Sequence, residues 1–177
     1  MPRSGEPKGT LRTPNLGARM YKSILLAYDG SMEGALALRE GALLARTCKA
    51  KVLLLSVVPN TTGAAELAEG LGGALSVQVE DYKDLLKQAV AWLNERGIEP
   101  TPKLLIGDPA QIIGAVAKEV CADLVVVGHQ RKNALSRWWS GSKHTYLSDH
   151  VGCSILIACN PTSNEAFESR QRDQSIA

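Results

Sequence analysis

The feature that most constrains this chain is a strict alternation of two kinds of segment. Five short apolar runs, KSILLAY (Lys22 to Tyr28), KVLLLSVV (Lys51 to Val58), PKLLIG (Pro102 to Gly107), DLVVVG (Asp123 to Gly128) and CSILIAC (Cys153 to Cys159), are each bounded by turn residues. Apolar residues at consecutive rather than alternate positions fit strands covered on both faces, as in a parallel sheet. Between the runs the period becomes helical. From Val79, apolar residues recur at Tyr82, Leu86, Ala89, Val90 and Leu93, and Gly97 then supplies a C-terminal stop. DPAQIIGAVAKEV places Asp108 as an N-cap and Pro109 at the first helical position, with Ile112, Ile113, Val116 and Val120 to be buried. SMEGALALREGALLARTC opens on Ser31, another capping residue, and a fourth helix is expected from about Ser142 to His150. Five strands alternating with four helices predict an α/β fold: an open five-stranded parallel sheet, helices on both faces, right-handed crossovers, Rossmann-like in its layering.

At 177 residues the chain suits one domain. The pattern places it at 21–160. Residues 1–20, with prolines, glycines and four basic residues against the single Glu6, read as a disordered basic extension, and Met20 stands directly before the first strand. Residues 161–177 read as a polar flexible tail. Asn60 to Ser76, glycine-rich, is expected to be a mobile loop with at most a fragment of helix, of a length that lids often have.

Twenty lysines and arginines against 18 acidic residues is too balanced for a nucleic-acid or polyanion binder by bulk charge, so any basic site must be local. No apolar run approaches the roughly 20 residues of a membrane span, and the N-terminus lacks a secretory apolar segment. A soluble, cytoplasmic protein without membrane or nucleic-acid partners is expected. Cys48, Cys121, Cys153 and Cys159 show no C-x-x-C pair or zinc spacing and read as buried thiols in a reducing compartment. His144 and His150, six apart, do not share a helical face, so no metal pair is expected there.

Ligands of open parallel sheets collect outside the carboxyl ends of the strands, where strand order reverses. Attention therefore falls on Asp29-Gly30-Ser31, Pro59-Asn60, Gly107-Asp108-Pro109 and Gly128-His129. The segment after the fourth strand concentrates positive charge at Arg131, Lys132, Arg137 and Lys143, and Gly141-Ser142 sits where a helix would start. A helix N-terminus offers free N–H groups to an anion. The spacing supports equally a phosphate site and a capping serine beside a solvated basic loop. At least one of Trp138 and Trp139 in this segment reads as packed against the sheet or a partner, in preference to stacking on a base. There is no G-x-x-x-x-G-K-[ST] or early G-x-G-x-x-G phosphate motif, and no G-x-S-x-G around Ser31 or Ser142 for a hydrolase.

Together, YKSILLAYDGS, the block GDPAQIIGAVAKEVCADLVVVG and the final glycine segment followed by CSILIAC resemble the universal stress protein family, over Met20 to about Asn160. In ATP-binding members the segment after strand four reads glycine, two residues, glycine, nine residues, glycine, serine or threonine. Here Gly128, Gly141 and Ser142 keep the outer frame, while Arg131 replaces the middle glycine. The resemblance implies ATP or a related adenine nucleotide as ligand, with Mg2+ accompanying it. It implies that Ala27, Tyr28 and Asp29 meet adenine and ribose, Asp29 accepting from the ribose or contacting phosphate-bound metal. Val57 would offer backbone groups to adenine, with Val127 beside Gly128 at the end of strand four, and Gly128, Gly141, Ser142 and Lys143 would cradle the phosphates. It further implies a homodimer through Cys153 to Cys159, an apolar strand at a sheet edge.

Arg131 sets two readings against each other. Arginine disfavours the positive φ that glycine takes freely, yet it offers a planar fork of donors to phosphate. The first reading is a nucleotide-binding stress sensor, at most slowly hydrolysing ATP or phosphorylating itself. The second is a nucleotide-free dimeric module that engages partner proteins. A small hydrolase of the same fold has no supporting residue set.

Overall fold

The computed structural model describes residues 20–59, 72–128 and 147–159, with backbone alone for 72–75. In chain order these form β1 (Ser23–Ala27), α1 (Met32–Cys48), β2 (Lys51–Pro59), α2 (Gly72–Asn94), β3 (Thr101–Gly107), α3 (Pro109–Glu119), β4 (Leu124–Gly128), a 3-10 turn (Leu147–Asp149) and β5 (Ser154–Ala158). The strands make one sheet in the order β3-β2-β1-β4-β5, and every neighbouring pair is parallel.

The period of two within each strand decides which helix it faces. Ile24 and Leu26 of β1, Val52 and Leu54 of β2, and Leu124 and Val126 of β4 pack with Ala37, Leu38, Leu86, Ala89 and Leu93 of α1 and α2. The alternate set, Leu25, Ala27, Leu53, Leu55, Val125 and Val127, packs with Ala110, Ile113 and Val116 of α3 and with Leu147. Right-handed crossovers account for this division. The chain steps one way from β1 to β2 to β3, so α1 and α2 share a face; it then returns across the sheet to β4, which puts α3 on the other. Ile24, Leu25, Leu54, Leu55, Val125 and Val126 are all 0% exposed, and each such side chain contributes about 1.5–3 kcal/mol by leaving water.

The caps lie where the sequence places them. Asp108 accepts from the Gln111 N–H with Pro109 in the first turn, Ser31 accepts from the Gly34 N–H, and Gly97 turns the chain after α2 at φ 71°. At the amino end of the sheet, Asp123 Oδ2 accepts from the backbone N–H groups of Lys22 at 2.6 Å and Ser23 at 2.9 Å. This latches the start of β1 to the start of β4. Those two donors hold the Asp123 carboxyl below its ordinary value.

Two expectations are corrected and one is made definite. The fragment of helix allowed within Asn60–Ser76 is its last five residues, because helix α2 begins at Gly72; residues 60–71 lie outside the described residues. Glycine disfavours a helix interior by only about 1 kcal/mol, and a long helix packed further along can carry such a start. Of the expected helix from Ser142 to His150, the described part is the 3-10 turn Leu147–Asp149. The four thiols are not buried: Cys121 and Cys159 are exposed, and Cys48 and Cys153 are partly so. Cys121, Cys153 and Cys159 border apolar runs at the turns that end or begin them, and Cys48 is the last residue of α1, so each lies just outside the covered part of its element. The expected tails, 1–19 and 160–177, also lie outside the described residues.

Candidate functional site

Between β1 and β4 the strand order reverses, and the carboxyl ends of these two strands open the crevice that such a reversal creates. Ala27 ends β1 and is 5% exposed. Beyond it the Tyr28 N–H donates to the Leu55 carbonyl at 2.9 Å, continuing the β1–β2 pairing by one step. The Tyr28 carbonyl accepts from Ser56 Oγ at 2.7 Å. Ser56, itself 1% exposed, is thus a buried hydroxyl whose hydrogen bond fixes the main chain at the mouth of the cleft. The Tyr28 ring is half-buried; burial first and the Asp29 carboxylate second push its phenol up, so it is a neutral hydroxyl at physiological pH.

The next turn is organised by Asp29. Its Oδ1 accepts from the Ser31 N–H at 3.0 Å and from Ser31 Oγ at 2.5 Å, while Ser31 Oγ accepts from the Gly34 N–H at 2.9 Å. Aspartate, serine and the first turn of α1 form one chain of hydrogen bonds. Gly30 makes this turn possible at φ 79°.

The end of β4 is pressed against that same first turn. A Cβ on Gly128 would lie 2.5 Å from both the carbonyl carbon and the oxygen of Glu33, and 2.7 Å from the nitrogen of Gly34. Glycine at this position therefore has a packing cause that needs no ligand: it lets the N-terminus of α1 seat over the end of β4. Gly34 is equally confined, since a Cβ there would meet Asp29 Oδ1 at 2.5 Å and Ser31 Oγ at 3.1 Å.

Val57 and Val127 are 1% and 2% exposed, their side chains committed to the α3 face of the core. Only their main chains can meet a ligand. The amide and carbonyl of Val57 point to the same side as the Leu55 carbonyl, beyond the Ala27–Leu55 rung that ends the β1 ladder.

The fold thus brings Ala27, Tyr28, Asp29, Val57, Val127 and Gly128 to the carboxyl ends of three adjacent strands. Arg131, Gly141, Ser142 and Lys143 lie outside the described residues, as do His129, Trp138, Trp139 and His144. His150 follows the 3-10 turn and packs on Gly114 of α3 instead of facing the cleft.

Two residues that the sequence reading does not single out stand beside these. Ser56 was signalled by being the lone hydroxyl in the otherwise apolar LLLSVV. Gly34 was signalled by a glycine in the first turn of a helix, where a capping box would carry glutamate or glutamine.

Comparison with known proteins agrees with this architecture. A putative universal stress protein of Staphylococcus saprophyticus is 30% identical over 151 residues, covering 84% of this chain and 89% of its own. Among solved structures, the universal stress protein UspA from Lactobacillus plantarum superposes with a TM-score of 0.66 at 22% identity, over 78% of this chain and 98% of its own. A universal stress protein solved in complex with cAMP gives a TM-score of 0.57 at 20% identity, over 79% of this chain and 98% of its own. The universal stress protein of Archaeoglobus fulgidus in complex with dAMP gives 0.55 at 21% identity, over 79% and 99%. The model of the universal stress protein family matches residues 20–158, from just before β1 to the last residue of β5. The chain belongs to the universal stress protein family.

Proposed function

We propose that this protein binds an adenine nucleotide in the crevice between β1 and β4 and acts as a stress-response sensor whose state depends on that ligand. The observation that carries this reading is the convergence of Tyr28, Asp29, the Val57 main chain and Gly128 at the switch point of the sheet. Tyr28 is held there by two main-chain hydrogen bonds. The reading draws support from the relatives solved with cAMP and dAMP. ATP with Mg2+ is the ligand we favour, because Gly141, Ser142 and Lys143 follow Gly128 at the spacing of a phosphate-binding segment. Asp29 acts chiefly by organising the first turn of α1 through Ser31.

A second reading, a nucleotide-free module that engages partner proteins, is favoured by Arg131 in the place of the middle glycine. Isothermal titration with ATP and MgCl2 separates the two. Saturable heat in the unmodified protein supports the first. No heat at millimolar ATP, with saturable heat restored in Arg131→Gly, supports the second.

In either case the protein is proposed to form a cytoplasmic homodimer through β5. Both β3 and β5 are edge strands, but β3 carries Pro102, which lacks an N–H, and Lys103. The SILIA segment of β5 carries neither device against edge pairing. Light scattering at micromolar concentration is expected to give twice the chain mass of 18.9 kDa; a monomer there refutes the assignment.

A further inference from the structure

The opposite end of the sheet holds a second cavity, of about 520 Å³, lined among others by Lys118, Cys121, Asp149, His150 and Cys153. Helix α3 runs back against the strands, so its C-terminus lies beside the turns that lead into β4 and β5, far from the crevice. A volume of this size is within the range of small-molecule sites.

Three features give the cavity its chemistry. Lys118, exposed in the last turn of α3, makes no salt bridge among the described residues, whereas its neighbour Glu119 is paired with Lys103 at 2.7 Å. Cys121 is exposed and takes a left-handed conformation at φ 49°. Its N–H donates to the Lys118 carbonyl at 3.2 Å and the next N–H, of Ala122, donates to the Ala117 carbonyl at 2.8 Å. This closure of the helix end fixes the backbone of Cys121 three positions along the chain from Lys118, with both residues lining the cavity. Cys153 differs: its Sγ lies 3.7 Å from the Ser154 carbonyl, and burial, then the Asp123 carboxylate, push its thiol up from the ordinary 9.0. Of the two thiols in the cavity, the exposed one is open to attack from solution.

We propose that Cys121 is a thiol-exchange site for small disulfides of the amino-acid type, whose carboxylate is drawn in by Lys118 and whose ammonium is tolerated beside Asp149. In the exchange, the Cys121 thiol gives its proton to solvent and its sulfur attacks one sulfur of the disulfide. The S–S bond breaks and the distal half leaves as a thiolate carrying the bonding pair. Cys121 is oxidised to a mixed disulfide, the departing half is reduced, and the retained half occupies the cavity.

Glutathione disulfide is the probe, with cystamine, which has ammonium groups but no carboxylate, as its counterpart. Intact-mass kinetics with peptide mapping at pH 8 should place the first glutathione adduct on Cys121, and Cys121→Ser should remove it. One ammonium paired with the probe's carboxylate is worth about fivefold in water-like surroundings. Lys118→Glu should therefore slow the glutathione adduct by about fivefold or more without slowing the cystamine adduct. Lys118→Gln, which makes no new charge, should give a smaller loss of the same kind. First modification at Cys48 or Cys159, or equal effects of Lys118→Glu on both probes, would overturn the proposal.

Discussion

If Gly128 is glycine because α1 must seat over the end of β4, then Gly128→Ala destabilises the protein in the absence of any nucleotide. The added Cβ would stand 2.5 Å from the Glu33 carbonyl carbon and oxygen, where ordinary contact begins at 3.4 Å. One side must therefore retreat by about 0.9 Å, the difference of those two distances. The obstructing atoms are backbone inside a capped helical turn, held by Ser31 Oγ on the Gly34 N–H and by Asp29 on Ser31. Rotamer change cannot relieve the clash. Overpacking of a close-packed site costs about 1–3 kcal/mol, and immovable neighbours put this substitution at the upper end. In a chain of this size 1 kcal/mol moves Tm by about 2–4 °C, so a loss of about 6–12 °C is expected. Thermal and urea unfolding of exhaustively dialysed protein measure it. Gly152→Ala is the matched control, because a Cβ there meets nothing within 4 Å. That substitution should leave Tm unchanged or raise it slightly by restricting the unfolded chain. A Gly128→Ala protein melting within about 2 °C of the unmodified one would refute the packing explanation and leave ligand approach as the reason for the glycine.

Ser56→Ala removes the donor to the Tyr28 carbonyl inside the core. A cost of about 1–3 kcal/mol is expected in urea unfolding, and a change under about 0.5 kcal/mol would show that the carbonyl finds another donor. Gly114→Ala would bring a Cβ to 2.5 Å from His150 Cβ and 2.6 Å from its carbonyl oxygen. About 1–3 kcal/mol of destabilisation is expected, with faster amide exchange in β5 than in β2; uniform acceleration would contradict a local displacement. Asp123→Asn tests the latch between β1 and β4. The carboxyl's native pKa is held below its ordinary 3.8 by the Lys22 and Ser23 N–H groups. Its stabilising effect is therefore complete above about pH 4 and is lost as pH falls through the native value. Urea midpoints of the two proteins should differ at pH 7 and 5 and converge towards pH 3. A gap that is the same at all three would rule out the charge as its cause.

Most of the fold can be read before any coordinates. Consecutive apolar residues in LLVVV-like runs demand cover on both faces, and the segments between them carry caps at Ser31 and Asp108 and a stop at Gly97 that the structure uses as expected. Local chemistry of this kind depends on neighbours within four residues, so the chain displays it directly. The start of α2 was not legible, because glycines at 72 and 73 suggest a loop and only packing further along the helix overrides them. The exposure of the thiols was not legible either, since one residue's shift past the end of a strand or helix separates cover from solvent.

The candidate site divides in the same way. By itself the sequence determines which residues stand at the carboxyl ends of the strands, because strand limits follow from the apolar runs. From these come Asp29 and Gly128 as candidates, whereas Tyr28 is put forward by the family resemblance. Only the tertiary structure decides what they do to one another: that Ser56 holds the Tyr28 carbonyl, that Asp29 serves the cap of α1 through Ser31, and that Gly128 is confined by Glu33 and Gly34. These are contacts between segments separated in sequence, and they exist only once the crossovers have set β1 beside β4. Pairing in space, unlike local propensity, is not written at any single position of the chain.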